Sequence, residues 1–261
     1  MRSLSIGSTG MYAQQMNVET ISNNIANMTT TGFKRQRAEF QDLLYQNLRA
    51  AGTSSSDANT ILPSGLQLGS GVRLDSIARS YTQGAMDVTD GQLDLAVNGD
   101  GFFQVQMPDG TTSYTRDGSF QLNGDGLVVT KEGYQLNPGI TIPQTATQVT
   151  VNNSGEVWVK LDGQVDPQNI GQIQLAKFIN PNGLEALGKN LVRETPASGS
   201  PIEGIAGAEG FGGIQQGALE ISNVNIVSEM TKMITAQRAY EMNSKVIKTS
   251  DDMLGVVSNL R

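Results

Sequence analysis

Apolar residues recur every seven positions at both ends of the chain. They stand at Leu4, Met11, Val18 and Ile25, and again at Ile226, Met233, Tyr240, Ile247 and Leu254. Sevenfold spacing keeps a narrow seam on one side of a helix, as in coiled coils and bundles. A first helix is therefore predicted over roughly residues 2–29. Companions at Gln14, Ile21 and Met28 make its contact face mixed. Gly7 and Gly10 each cost a helix about 1 kcal/mol relative to Ala, unless they permit close backbone approach to a neighbour. Thr29-Thr30-Thr31-Gly32 reads as its stop, with Gly32 suited to a left-handed cap.

A second helix is predicted from about Asn225 to the end, with Asn225 as N-cap and Glu229 complementing the helix dipole in the first turn. Four residues beyond its apolar row stand Met230, Gln237, Ser244, Asp251 and Ser258, where a dimeric zipper would carry Leu. One strong row beside polar ones suits a helix that shares its flanks with several neighbours. The two helices could also pair with each other inside one chain. Against that as the whole arrangement, such a pair would own little core, and isolated helices are marginal in water. Fully burying the nine seam residues, at roughly 1.5–3 kcal/mol each, would favour assembly with other copies.

Between the seams the pattern changes. Residues 33–45 are ambiguous between helix and extended arm. The small polar stretch from Ala50 to Thr60 has too little to bury, so 46–71 reads as a protruding hairpin or loop. From about 72 to 222, turn pairs such as Asn98-Gly99, Asp109-Gly110, Asn123-Gly124, Asp125-Gly126, Asp162-Gly163 and Asn182-Gly183 separate short β-branched and aromatic runs. Phe102–Met107, Leu127–Thr130, Val157–Leu161 and Ile173–Ile179 are among these runs, which predict antiparallel strands. A Gly/Pro-rich stretch from Pro196 to Gly217 closes this part. The expected fold is α+β: a terminal helix over 1–32, an arm and hairpin over 33–71, a mainly antiparallel β domain over 72–222 and a terminal helix over 223–261.

Composition narrows the chemistry. The 261 residues are 38% hydrophobic and include 30 glycines, which suits many turns and thin β layers. With no His and no Cys, the commonest general base, the commonest metal ligand and every thiolate site are missing, so an enzyme and a metal or cofactor site are not expected. A net charge of −7 argues against nucleic acid as partner. The first residues lack the apolar run of a secretory signal, and no stretch approaches a membrane span.

The remaining candidates are weak. Asn98-Gly99-Asp100-Gly101 and Asn123-Gly124-Asp125-Gly126 resemble fragments of calcium loops but lack the bidentate Glu, and read as hairpin turns. Asp87, Asp90 and Asp94 could offer a carboxylate pair for glycoside cleavage, but read as turn residues. Lys34, Arg35 and Arg37 read as a solvated face, with a salt bridge to a neighbouring subunit as the alternative. Trp158 reads as a core or sheet-face residue.

Ser22-Asn23-Asn24-Ile25-Ala26-Asn27, followed by Thr31-Gly32-Phe33-Lys34-Arg35, resembles the N-terminal signature of the bacterial flagellar rod and hook family. Ser222-Asn223-Val224-Asn225 and Gln237-Arg238-Ala239-Tyr240-Glu241 resemble its C-terminal signature. Leu95–Phe103 and Tyr114–Phe120 match as well, so the likeness runs nearly end to end. Asp42-Leu43-Leu44-Tyr45 through Leu62-Pro63-Ser64-Gly65 is most similar to the distal-rod members. The resemblance implies export unfolded through the flagellar type III apparatus and a place in the periplasm-spanning rod of the basal body. It implies a helical tube of copies that encloses the export channel and carries torque to the hook. The terminal helices would form an inner tube, and 46–71 would stiffen the shaft by bridging subunits. Implied partners are further copies, proximal rod proteins, the hook protein and the P and L ring proteins. Leu4, Met11, Val18, Ile21, Ile25, Met28, Ile226, Met233, Tyr240, Ile247 and Leu254 are the expected subunit interface, and Ser22, Asn23, Asn24, Asn27, Gly32 and Phe33 the motif residues. Asn23, Asn24 and Asn27 are suited to bonding backbone where helices meet a turn.

Overall fold

The computed structural model describes residues 2–51, 64–164 and 166–259. The chain divides into two units. One gathers Met1–Ile25, Gln36–Ala78 and Asn225–Arg261; the other gathers Ala26–Arg35 and Arg79–Val224.

The first unit carries both long helices, α1 over Arg2–Ala26 and α2 over Ile226–Asn259. Helix α1 ends at Ala26, short of the predicted 29, because the β-branched threonines follow and Thr30 closes a turn onto the carbonyl of Asn27. Helix α2 begins as predicted. The Asn225 side chain accepts the Ser228 N–H at 3.1 Å and its carbonyl accepts the Glu229 N–H at 3.0 Å. The helices touch where α1 has glycine. A methyl carbon built on Gly7 would lie 2.8 Å from Ile247 Cγ1, and one on Gly10 2.8 Å from Asn243 Nδ2. Glycine here removes the side chain that would hold the backbones apart.

The ambiguous residues after α1 are strand. Gln36–Asp42 pairs with Val72–Arg79, and Tyr45–Arg49 pairs antiparallel with Leu66–Gly69 in the register Tyr45↔Gly69 and Gln46↔Leu68. The two ladders join through the Leu43 N–H, which donates to the Gly71 carbonyl at 2.9 Å. Of the region 46–71 expected to form a hairpin or loop, residues 52–63, which hold most of the polar stretch Ala50 to Thr60, lie outside the described residues.

The second unit is built of short strands that pair antiparallel. A nine-stranded sheet runs Glu185–Gly188, Leu191–Arg193, Thr112–Thr115, Phe102–Gln106, Gln135–Asn137, Val128–Thr130, Phe120–Leu122, with Gln174–Lys177 branching from the Phe102 strand and pairing in turn with Ile202–Ile205. A three-stranded sheet holds Ala146–Val151, Glu156–Leu161 and Gln168–Gln172. Successive side chains in a strand point to opposite faces, so the pair Phe102-Phe103 serves two cores. Phe103 joins Leu95, Val97, Leu136, Val159, Ile173 and Leu175 in the larger one, and meets Phe120 edge to face at 5.2 Å. Phe102 joins Tyr114, Phe178, Leu184 and Val192 in the smaller one.

Candidate assembly interface

Three side-chain amides complete backbone ladders where the chain changes direction. In the helical unit, Asn24 is fully buried in the last turns of α1. Its Oδ1 accepts the Gln36 N–H at 2.8 Å and its Nδ2 donates to the Gln36 carbonyl at 2.7 Å, so one side chain acts as a missing strand residue. The same Nδ2 donates to Glu229 Oε2 at 3.1 Å. Glu229 is 1% exposed, and its second oxygen accepts from Lys232 Nζ at 2.8 Å. The role expected for Glu229, complementing the helix dipole in the first turn, is thus only part of what it does.

In the β unit, Asn223 Oδ1 accepts the Arg35 N–H at 2.7 Å, and its Nδ2 donates to the carbonyls of Ser80 and Thr82, both at 2.9 Å. Gln216 covers the free edge of Ala146–Val151: its Oε1 accepts the Val151 N–H at 3.0 Å and its Nε2 donates to the Val149 carbonyl at 2.9 Å. An unpaired edge recruits foreign strands, so a side chain that fills it protects the sheet.

Lys34 departs from its expected solvated place. It is 6% exposed and donates to Glu220 Oε1 at 2.5 Å and to the Thr82 carbonyl at 2.9 Å. Arg116 approaches the other Glu220 oxygen at 3.4 Å, donates to the Gly99 carbonyl at 2.7 Å and covers the Phe102 ring at 5.4 Å. Burial pushes the Lys34 ammonium below its ordinary range, and Glu220 only partly restores it; the Arg116 guanidinium is lowered for the same reason. Gly32 makes this possible. It takes φ +67°, donates its N–H to the Glu220 carbonyl at 2.8 Å, and leaves no room for a Cβ, which would fall 2.7 Å from the Asp117 nitrogen. Arg37 stays outside in an exposed pair with Glu39.

Of the expected interface residues, Ile21 is buried, while Leu4, Met11, Val18, Ile25, Met233 and Ile247 are half-buried. Met28, Ile226, Tyr240 and Leu254 are exposed. Among the motif residues, Ser22 and Asn23 are exposed, and Asn27, Gly32 and Phe33 are half-buried; Asn27 accepts the Thr30 hydroxyl at 3.2 Å. What the sequence reading missed on α2 is a second sevenfold row, Glu229, Ala236, Asn243 and Ser250, three of which are buried and the fourth half-buried. Its members are small or polar, so a search for apolar periodicity passes over them.

The apolar row does not exhaust the apolar surface of α2. Val227 is 71% exposed, and Met230, Ile234, Met242, Met253 and Val256 each exceed half exposure. The paired strands add Leu44, Tyr45, Leu48 and Leu66 at half exposure or more. Charge divides with the units. Nine basic and nine acidic residues fall in the helical unit, against nine basic and sixteen acidic in the β unit, so the net −7 belongs entirely to the latter.

Asp87 and Asp90 are exposed, and Asp94 accepts the Thr89 hydroxyl at 2.6 Å within its own turn. The first Asn-Gly-Asp-Gly run is not the hairpin turn expected, because Leu95–Asn98 pairs with Gly213–Gln216 and not with Phe102–Gln106; its Asp100 pairs with Lys177 at 2.8 Å. Among the described residues no group of three acidic side chains is placed to hold a metal ion, and no helix is long and apolar enough to cross a membrane. Trp158 is half-buried on its sheet, its Nε1 donating to Glu156 at 3.2 Å.

Three family profiles match in order along the chain. They are described as flagella basal body rod protein over residues 4–34, flagellar hook protein FlgE/F/G D1 domain over 96–159, and flagellar basal body rod FlgEFG protein C-terminal over 215–260. Asn24 and Lys34 fall in the first of these spans, Arg116 in the second, and Glu220, Asn223 and Glu229 in the third. The chain is 56% identical over 261 residues to the flagellar basal-body rod protein FlgG of Caulobacter vibrioides, covering 100% of each. It is 54% identical over 258 residues to the protein of that name from Buchnera aphidicola subsp. Acyrthosiphon pisum, covering 99% of each. Against that of Borreliella burgdorferi it is 49% identical over 263 residues, covering 100% of this chain and 99% of the other.

Proposed function

The chain belongs to the flagellar basal-body rod protein family, and from that premise we propose that it builds the distal rod as a helical, tubular drive shaft. Copies add head to tail through contacts that do not close on themselves, so the assembly grows along an axis. The helices form the inner tube around the export channel through Leu4, Met11, Val18, Ile21, Ile25, Met28, Ile226, Met233, Tyr240, Ile247 and Leu254, in coiled-coil-like contacts with sister helices. The β unit supplies the contacts with the P and L ring proteins. Proximal rod proteins and the hook protein cap the two ends. The paired strands and the stretch between them, 46–71, bridge neighbouring copies and stiffen the shaft. The chain does no chemistry of its own.

The observation that carries this reading is the wetted apolar surface of α2. A helix belonging to a finished monomer shows one apolar stripe and one polar face. Here Val227, Ile234, Met242 and Met253 stand in water although the helix already touches α1 at Gly7 and Gly10. Each such side chain, once fully covered, contributes about 1.5–3 kcal/mol. The neutrality of the helical unit supports the same reading, because like copies then meet without net repulsion.

The cleanest test is Ile234→Asp. Ile234 is 53% exposed, so the variant monomer keeps its fold, while a charge inside a contact between copies opposes assembly. Electron microscopy of basal bodies from cells carrying only Ile234→Asp is expected to show rods that stop short of the hook. Rods of normal length would reject the assignment.

A further inference from the structure

We propose that Asn123 is a self-modifying site, whose amide the folded chain converts to aspartate and isoaspartate while its other two Asn-Gly pairs are held back. The three pairs, Asn98-Gly99, Asn123-Gly124 and Asn182-Gly183, share one chemistry. The Gly backbone nitrogen loses its proton to hydroxide and bonds to the Asn Cγ. The Cγ–Nδ2 bond then breaks, and the amide leaves as ammonia with a proton from water. A second water opens the resulting succinimide at either carbonyl, giving aspartate or isoaspartate, with no change of oxidation state. Glycine is the residue that least obstructs this attack, because it carries no Cβ.

The surroundings of the three pairs differ. Asn123 and Gly124 are both exposed, in the turn between Phe120–Leu122 and Val128–Thr130. Asn123 Oδ1 accepts two backbone N–H groups, from Asp125 and from Leu127, each at 2.9 Å. When the nitrogen of Gly124 attacks, negative charge gathers on that oxygen, and two donors already aimed at it stabilise the intermediate as an oxyanion hole does. The Gly124 N–H itself makes no hydrogen bond among the described contacts, and a Cβ there would meet nothing within 4 Å, so the nucleophile has room to move.

The other two nucleophiles are engaged and confined. The Gly99 N–H donates to Gln83 Oε1 at 3.1 Å, and a Cβ on Gly99 would lie 2.9 Å from the Gly212 Cα. The Gly183 N–H donates to the Asn180 carbonyl at 3.1 Å inside a 3-10 turn, and a Cβ on Gly183 would lie 2.6 Å from the Ala197 carbonyl carbon.

Conversion has a structural consequence. Aspartate adds one charge to the acidic unit and can keep both N–H partners. Isoaspartate adds a methylene to the main chain at the foot of the Leu122↔Val128 pairing and shifts that hairpin's register. In an assembly that is not rebuilt, the turn therefore records age.

The test uses the full-length protein. Folded chain and chain in concentrated urea are incubated at mildly alkaline pH, then digested and read by mass spectrometry, with isoaspartate identified by its fragmentation. In the folded chain the Asn123 peptide is expected to gain one mass unit at least about tenfold faster than those of Asn98 and Asn182, a modest part of what oxyanion donors supply elsewhere. In urea the three rates should converge. Asn98 or Asn182 keeping pace in the folded chain would overturn the proposal, as would Asn123 converting only in urea. Gly124→Ala, whose methyl enters open space, is expected to keep the parent's melting temperature and slow conversion several-fold; an unchanged rate would remove the succinimide route.

Discussion

Asn24 and Glu229, 205 positions apart, meet at 3.1 Å with both side chains buried. The contact joins the last turn of α1 to the first turn of α2, and through Gln36 it also sets where the following strand begins. A single amide thus fixes three passages of the chain in the helical unit.

Asn24→Ala leaves the Gln36 N–H, its carbonyl and the Glu229 carboxylate each short of a partner. A loss of about 1–3 kcal/mol is expected for the helical unit. Both α-helices lie in that unit, and the single tryptophan, Trp158, lies in the other. Far-UV ellipticity at 222 nm and tryptophan fluorescence therefore report the units separately. The helical signal should melt earlier while the fluorescence transition stays in place; an unchanged helical melt would mean the contact contributes nothing.

Lys34→Met removes one of two cations on a carboxylate that is 1% exposed. Arg116, at 3.4 Å, is the weaker remaining partner. Breaking a buried pair from one side costs about 3–5 kcal/mol, whereas adding Glu220→Gln should return part of it. Urea denaturation followed by Trp158 fluorescence measures both variants, and additive losses would show that the two residues do not act together.

Tyr114 makes the β unit sensitive to alkali. Burial, then the charges of Glu194 and Glu203, push its phenol from 10.0 to about 12. Because the folded value is the higher one, the unfolded chain gives up this proton first. The stabilisation is complete below pH 10 and is lost as pH rises toward 12, amounting at most to about 2–3 kcal/mol. Tyr114→Phe keeps the ring that meets Phe178 edge to face at 4.8 Å, and should flatten that slope in fluorescence-detected unfolding. An equal slope in the variant would assign the effect to other groups.

Gly7→Ala runs against ordinary helix propensity, by which Ala is about 1 kcal/mol better than Gly. The added methyl would sit 2.8 Å from Ile247 Cγ1, so a net loss of helical stability is expected. Combining it with Ile247→Ala makes room and should restore part of the loss relative to the sum of the single variants. A stabilised single variant would show that the helices can separate at no cost.

Both helix starts, the left-handed backbone of Gly32, several of the turn pairs and several strands could be read from local pattern alone, since caps, positive φ and period are properties of neighbouring residues. Residues 33–45 could not. Their periodicity favours neither structure, and what makes Gln36–Asp42 a strand is a partner, Val72–Arg79, some thirty residues on. Lys34 shows the same limit: a cation among cations looks solvated until Glu220 arrives from the far end of the chain.

By itself, then, the sequence determined where the two helices begin, which ends carry sevenfold apolar rows, and that the chain has neither histidine nor cysteine chemistry. Only the tertiary structure decided that Glu229, Ala236 and Ser250 are buried while Val227, Ile234 and Met242 remain in water, and that polar amides rather than apolar pairs fasten the passages between elements. The reason is physical. Periodicity reports the direction in which a side chain points, but burial depends on what arrives to cover it, and here that is set by contacts between residues more than a hundred positions apart.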